Sequence, residues 1–213
     1  MKCMLIAGVL AAGVLWTLPV ENPAAALCLA AGAQSVEVVH APDPFTLVGP
    51  RNYLTGWPTK HADGGYNVVV ESPACTNEKW EVDEKDGAIR WEHKKGKPRV
   101  IQYMAYPGSY GMFPRTLLAS DEGGDGDPLD AIVLGPAVDR GAVVRVKVIG
   151  VLRLLDDGEQ DDKLICVRKG EPMGDADDLE ELDRKYPGAS AIVRTWFAGY
   201  KEPGKIEIVG LES

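Results

Sequence analysis

Short apolar runs with polar interruptions dominate the middle of the chain. Val143–Val148 alternates apolar and charged side chains, which predicts a strand with one buried and one solvated face. The other strand candidates are Asn67–Glu71, Lys79–Val82, Ile89–Glu92, Ala131–Leu134, Leu164–Val167 and Ile206–Val209. The dipeptide Asp86-Gly87 between two of these runs is typical of a hairpin turn. Many short strands at close spacing predict a small barrel or sandwich.

Two helices are predicted near the end of the chain. Residues 177–186 carry acids in the first turn and bases in the last, which suits the helix dipole, and a Pro-Gly pair then ends the helix. In the next segment, 189–200, Ile192, Trp196 and Tyr200 are spaced four apart and should share one face. The predicted fold class is therefore α+β, a small barrel with two C-terminal helices packed on it.

The first 65 residues differ from the rest. Lys2 precedes an uncharged apolar run, and small residues follow it in A-x-A triplets, which is the pattern of a secretory signal peptide. We expect residues 1–33 to form this peptide and the protein to be periplasmic or secreted. An uncleaved membrane anchor or a mis-assigned start codon are the alternatives. Residues 34–65 are rich in Pro and Gly and predict an extended lead-in to a domain at 66–213.

Composition and charge narrow the function. The chain has 213 residues, 45% of them hydrophobic, which is enough for a sizeable core. Its net charge of −9 argues against a nucleic-acid partner, whose phosphates require a basic surface. Two cysteines follow the leader, Cys75 and Cys166, and the second lies in an apolar run that predicts a buried thiol.

Two acidic segments carry the candidate chemistry. Asp125, Asp127 and Asp130 lie within six residues, and in an extended stretch the first two would project to the same side. Converging carboxylates repel each other unless a cation lies between them, and hard cations such as Mg²⁺ prefer oxygen ligands. A solvated acidic turn is the plain alternative. An EF-hand is excluded, because counting from Asp121 places Ile132 where the loop requires Glu.

The second acidic segment follows Leu154-Leu155 and contains Asp156 and Asp161. Alone it predicts an ordinary hairpin turn. Beside the first segment it could supply the far side of a metal site, since both segments come at the end of an apolar run, where a strand would hold them rigidly.

At these residues the sequence resembles the soluble family I inorganic pyrophosphatases. Their pattern of Asp, any residue, Asp, Pro, an apolar residue and Asp matches 125–130. The remaining matches follow in the family's order over roughly 67–200 and just beyond: Glu71, Lys79, Glu81, Arg99, Tyr106, Tyr110, Asp156, Asp161, Lys163, Tyr200 and Lys201. Arg99 matches only through the longer Lys-Gly-Lys loop of the eukaryote-like members. The leader is unusual, because the family works mostly in the cytoplasm.

The resemblance implies a closed OB-like barrel of about five strands and the Mg²⁺-dependent hydrolysis of pyrophosphate, with Mn²⁺ or Zn²⁺ as possible substitutes. It implies metal ligands at Asp125, Asp130, Asp156 and Asp161, with Glu71 and Glu81 in the outer part of the site. Substrate contacts fall to Lys79, Arg99, Tyr106, Lys163, Tyr200 and Lys201. Asp127 would accept a proton from the attacking water, with Lys79, Arg99 and Tyr110 also catalytic. A homo-oligomer, a dimer or a hexamer, is expected from the resemblance only, and no membrane partner beyond an uncleaved leader.

Two rival functions stay open on the sequence. One is a metal phosphohydrolase for nucleotides or organic diphosphates, although no aromatic platform for a base is evident. The other is a secreted acidic protein that binds metal or phosphate without turnover. The complete set of basic positions and Asp127 favour the enzyme over the second rival.

Overall fold

A computed structural model describes residues 39–62 and 64–213, so the expected signal peptide at 1–33 lies outside the described residues. A short 3-10 turn, Ser120–Glu122, precedes the ninth strand. The strands and helices, in chain order, are β1 His40–Asp43, β2 Thr46–Val48, β3 Tyr66–Ser72, β4 Trp80–Val82, β5 Ile89–Trp91, β6 His93–Lys94, β7 Lys97–Pro98, β8 Ser109–Met112, β9 Asp130–Leu134, β10 Val143–Asp156, β11 Glu159–Gln160, β12 Lys163–Val167, α1 Leu179–Lys185, α2 Ala189–Gly199 and β13 Ile206–Glu212.

Five strands pair in a circuit. β3 pairs with β8, β8 with β9, β12 with β10, and β10 returns to β3, all antiparallel, while β9 and β12 are parallel. The inward-facing residues are mostly Val, Ile and Leu, which suit a pleated, buried surface. The predicted domain of many short strands with two late helices is confirmed.

The strand β10 is far longer than the apolar alternation at 143–148 predicts. It runs for 14 residues, pairs with β3 at its start, and pairs with β13 and β11 at its end. A glycine and a register shift near Gly150 interrupt its pattern, which is why the alternation in the sequence stops early. The far end of the strand delivers Asp156 and the second acidic hairpin.

Both helices contribute buried side chains to the core cluster that contains Ile132 and Leu152 of the strand circuit. Asp178 caps α1, accepting a hydrogen bond of 2.7 Å from the backbone N–H of Glu181. In α2 the buried side chains include Val193, Trp196 and Phe197, whereas Ile192 is 59% exposed. Trp196 and Tyr200 stack on each other, as their predicted shared face requires, whereas Ile192 does not join them in the core. The apolar face of α2 is centred between Val193 and Trp196, and Ile192 falls at its solvent side.

Part of the Pro- and Gly-rich segment packs in the folded unit. β1 and β2 form a second sheet with β5 and β4. Tyr53 is fully buried, and its hydroxyl donates a hydrogen bond of 2.9 Å to the Gly141 carbonyl, two residues before β10. The folded unit thus includes residues that precede Tyr66, because an aromatic side chain in the loop supplies core area that the strand pattern does not reveal.

Two further observations concern the surface and the thiols. In residues 39–62 and 64–213 no helix is both long and apolar enough to cross a membrane.

Cys75 is exposed and Cys166 is buried, and both are free thiols. Burial raises the pKa of the Cys166 thiol well above its ordinary value, and the predicted burial of this residue is confirmed.

Candidate active site

One polar cavity of about 540 Å³ holds the residues that the sequence singles out. Its walls come from β3, β4, β8, β9, β10, β11, β12, the end of α2 and the loops between them. All fourteen candidate residues line it: Glu71, Lys79, Glu81, Arg99, Tyr106, Tyr110, Asp125, Asp127, Asp130, Asp156, Asp161, Lys163, Tyr200 and Lys201. Residues more than 100 positions apart therefore meet in one place.

The two acidic loops touch each other. The backbone N–H of Gln160 donates a hydrogen bond of 3.1 Å to the Gly123 carbonyl, and Gly124 pairs with Gln160 as an isolated parallel bridge. The prediction of an extended stretch between Asp125 and Asp127 is wrong, because Gly126 has φ +91° and the N–H of Asp127 folds back to Oδ1 of Asp125 at 3.0 Å. The bend still leaves both carboxylates in the cavity wall.

Lys163 bridges two of the aspartates, Asp130 and Asp161. Its ammonium donates hydrogen bonds to Asp130 and Asp161, and its side chain is only 2% exposed. Burial disfavours its charge, but the two carboxylates outweigh that effect and raise the pKa of Lys163. Burial likewise opposes ionisation of Asp130, yet Lys163 and Lys79 lower the pKa of that carboxyl. Burial raises the pKa of Asp161 to about 6, with Lys163 opposing it, so Lys163 and Asp130 are the firmly charged members of this cluster.

Only one of the two carboxylate oxygens of Asp156 is paired with a lysine. Lys201 pairs with Oδ2, while the buried Oδ1 has no hydrogen-bond partner among the described residues. A buried carboxylate oxygen without a partner is costly, so this atom is a natural ligand for a cation.

Opposite charges also alternate along β3 and β4. Lys79 Nζ lies 2.7 Å from Glu81 Oε1, and Glu71 accepts a hydrogen bond of 2.8 Å from the backbone N–H of Val82. Burial raises the pKa of Glu71 to about 8, with Lys79 opposing it. Lys79 in turn is the main cause that lowers the pKa of Glu81. Burial opposes the charge of Lys79 itself, but the nearby acids, Glu81 first, keep its pKa well above its ordinary value.

Asp127 stands apart from these pairs. Burial raises its pKa to about 6, and the neighbouring acids Asp125 and Glu84 act in the same direction. Unlike Glu71 and Asp161, whose pKa values burial also raises, Asp127 has no lysine among the causes that act on its pKa.

Aromatic rings form the floor of the cavity. Tyr106 stacks on Tyr110 with ring centroids 5.5 Å apart, and Trp196 stacks on Tyr200 at 4.8 Å. The ammonium of Lys79 lies 5.0 Å from the centroid of Tyr110, which is a cation–π distance. Burial raises the pKa values of all three tyrosines, so their hydroxyls remain protonated donors at neutral pH.

Several residues that line the cavity were not predicted from the sequence. Asp83, Glu84 and Lys85 follow β4 and also line the cavity, as do Asp157 and Glu159 of the second acidic hairpin. The hairpin pair was visible as part of an acidic run. The turn after β4 gave no signal, because a charged turn after a strand is ordinary on any protein surface.

The donor set fits hard divalent cations. The acids offer only carboxylate oxygens as ligands, and one of these, the buried Oδ1 of Asp156, has no hydrogen-bond donor among the described residues. Within the described part of the chain, no three His, Cys, Asp or Glu side chains form a ready cage. The ammonium groups of Lys163 and Lys201 lie against Asp130, Asp161 and Asp156 instead.

The fold and site define a protein whose cavity suits cations held beside a small anion, and the comparisons give the family. The family model described as inorganic pyrophosphatase matches residues 68–212. Inorganic pyrophosphatase of Kluyveromyces lactis is 37% identical over 162 residues, which cover 68% of this chain and 56% of that protein. Inorganic pyrophosphatase 1 of Caenorhabditis elegans is 37% identical over 153 residues, covering 65% and 36%. The chain belongs to the inorganic pyrophosphatase family.

A solved structure agrees with this assignment. The inorganic pyrophosphatase from Schistosoma japonicum superposes with a TM-score of 0.71 at 29% identity, over 76% of this chain and 65% of that one. The chain spans about half the length or less of the first two relatives, 56% and 36%. The shared part is the region of β3 to β13 that builds the cavity.

Proposed function

We propose that the protein hydrolyses inorganic pyrophosphate to two phosphates with Mg²⁺ as its cofactor. The observation that carries the proposal is the meeting of two distant acidic loops, tied by Gln160 and Gly123, in one cavity with five basic side chains. A small anion with many phosphate oxygens needs both halves of this arrangement. Cations offset its charge against the acids, and fixed bases bind its oxygens.

Four aspartates would hold the metal ions: Asp125, Asp130, Asp156 and Asp161. Glu71 and Glu81 would contribute from the outer part of the site. When bound, divalent cations acidify water and neutralise phosphate oxygens. Mn²⁺ or Zn²⁺ could replace Mg²⁺, although oxygen-only donors favour the harder ion.

The chain's own groups bind the substrate and move the proton. Arg99 offers a planar fork for two phosphate oxygens, while Lys79, Lys163 and Lys201 act as point charges. The hydroxyls of Tyr106 and Tyr200 donate hydrogen bonds to phosphate oxygens, and that of Tyr110 orients the groups around it. Asp127, which forms no ion pair with a lysine among the described residues, accepts a proton from the attacking water.

A phosphate-release assay tests the proposal. The purified protein is given pyrophosphate, ATP or a nucleoside diphosphate, each with Mg²⁺ and with a chelator. We expect release from pyrophosphate with Mg²⁺ and a strong preference over both nucleotides, because the cavity is ringed by charge. Preference for a nucleotide would favour the wider phosphohydrolase class, and no turnover of any substrate would favour a binding protein.

Three further features belong to the same proposal. The strand circuit is what a closed OB-like barrel of five strands would have. The protein assembles as a homo-oligomer, which light scattering would test. The N-terminal pattern supports export to the periplasm or medium, with the cytoplasm as the alternative, and N-terminal sequencing of fractionated cells would distinguish them.

A further inference from the structure

Arg99 is anchored by an acid that lies outside the cavity. Nη1 of Arg99 donates a hydrogen bond of 2.6 Å to Oε2 of Glu92, and the two side chains are 20% and 25% exposed. Arg99 lines the cavity and Glu92 does not. Burial disfavours the charge of Arg99, but the bond to Glu92 outweighs it and raises the pKa of the guanidinium.

The backbone fixes this pair independently of the side chains. The N–H of Arg99 donates to the Glu92 carbonyl at 2.7 Å, and the N–H of Glu92 donates to the Lys79 carbonyl at 2.9 Å. The Arg99 carbonyl accepts from the N–H of Lys79 at 3.1 Å and from Nε1 of Trp91 at 2.9 Å. The β6–β7 hairpin closes the segment between them, so Glu92 and Arg99 are adjacent although seven positions apart.

The chemistry of the guanidinium gives this anchor a consequence. Its five N–H donors lie in one rigid plane, so holding Nη1 sets the direction of the Nε–Nη2 edge. That edge can then meet two phosphate oxygens without first losing the rotamer freedom of a long side chain. The neighbouring cation, Lys79, differs in this respect, because its carboxylate partner Glu81 itself lines the cavity.

We infer that Glu92 is a positioning residue that pre-orients Arg99 for a phosphate group of the substrate. The inference rests on the proposed function for the identity of that substrate. Glu92 acts on binding of the anion and not on the metal ions, since it contacts none of the acids of the two loops in the described structure.

The test compares Glu92→Gln, Glu92→Asp and a matched control, Glu171→Gln. Glu171 pairs with Arg168, which is 19% exposed, and neither residue lines the cavity. For Glu92→Gln we expect the KM for pyrophosphate to rise about tenfold while kcat and the Mg²⁺ concentration for half-activation stay within about twofold, since orientation is lost but the reacting groups remain. Glu92→Asp should recover part of the loss, and Glu171→Gln should match wild type.

Two outcomes would overturn the inference. A KM for Glu92→Gln within twofold of wild type would mean that Arg99 is oriented without Glu92. A lower KM would mean that Glu92 competes with phosphate for the guanidinium. Calorimetric binding of methylenediphosphonate, which cannot be hydrolysed, gives a second reading on the same variants. If the wild type releases no phosphate, the proposed function fails, and weaker binding of this analogue by Glu92→Gln still decides the role of Glu92.

Discussion

Lys163 and Asp130 are directly paired across the parallel strands β12 and β9, and the buried ammonium donates a hydrogen bond to the carboxylate at that register position. The last aspartate of the first acidic loop and the lysine that follows the second loop are thus fixed by the sheet itself. The pair sits where strand ends open into the cavity, so the scaffold and not a mobile loop sets the distance between the two acidic segments.

Removing this lysine should destabilise the protein in a way that metal can offset. In Lys163→Met the side chains of Asp130 and Asp161 lose the buried cation between them, and breaking a buried pair costs about 3–5 kcal/mol. We expect that loss in urea unfolding with a chelator and a clearly smaller loss with Mg²⁺. Lys205→Met breaks only the exposed pair with Asp157, so it should hardly change stability in either condition. Equal losses with and without Mg²⁺ would contradict the prediction.

Asp127→Asn should abolish most turnover while leaving the protein folded. The change keeps the shape of the side chain but removes its ability to accept a proton, and general-base contributions are about 10²–10⁴-fold. The measurement is kcat at saturating Mg²⁺ and pyrophosphate, with thermal unfolding as a check on the fold. Turnover within about threefold of wild type would show that another group takes the proton.

Glu71 should make the metal-free protein less stable as the pH rises. Its pKa is about 8 in the fold and about 4.5 for an ordinary glutamate in the unfolded chain, so between these values the folded state keeps a proton that the unfolded state has lost. Stability is therefore fully present below about pH 4.5 and decreases toward pH 8, by up to about 1.4 kcal/mol per unit. Glu71→Gln should flatten this slope when unfolding is followed in chelator from pH 5.5 to 8. An unchanged slope would remove Glu71 as its cause.

Asp162 should matter for metal and not for substrate. Its Oδ1 accepts from the N–H of Leu154 at 3.1 Å, and its Oδ2 accepts from Nε2 of Gln160 at 2.7 Å, which holds the hairpin that carries Asp156 and Asp161. For Asp162→Asn we expect a severalfold higher Mg²⁺ concentration for half-activation, since misplaced ligands bind the ion less well. The KM for pyrophosphate at saturating Mg²⁺ should hardly change.

Asp175→Asn is the control for this last comparison, because Asp175 is exposed and pairs with Lys185 on the surface. A rise in the KM of Asp162→Asn without any change in Mg²⁺ activation would reverse the assignment.

Local patterns in the sequence were enough to predict the strand-rich class and the late helices, and the family resemblance named residues that line one cavity. The Asp-x-Asp-Pro-Leu-Asp segment and the order of the basic residues around it can be recognised from residue type alone, without knowing how far apart the side chains lie. Geometry that depends on distant partners was out of reach. The exposure of Ile192 follows from what α2 packs against, and the burial of Tyr53 from the apolar cluster around it. The length of β10 follows from its pairing with β13 beyond its irregular middle.

The strand β10 connects the strand circuit with the second acidic hairpin of the cavity. Its first residues complete the strand circuit by pairing with β3, which carries Glu71, and its last residue is Asp156. A slip of one position would turn every side chain of the strand to the opposite face. Closure of the circuit therefore also brings Asp156 to the cavity. A partly opened chain should then lack the complete site, so activity and the native fold should be lost together on heating.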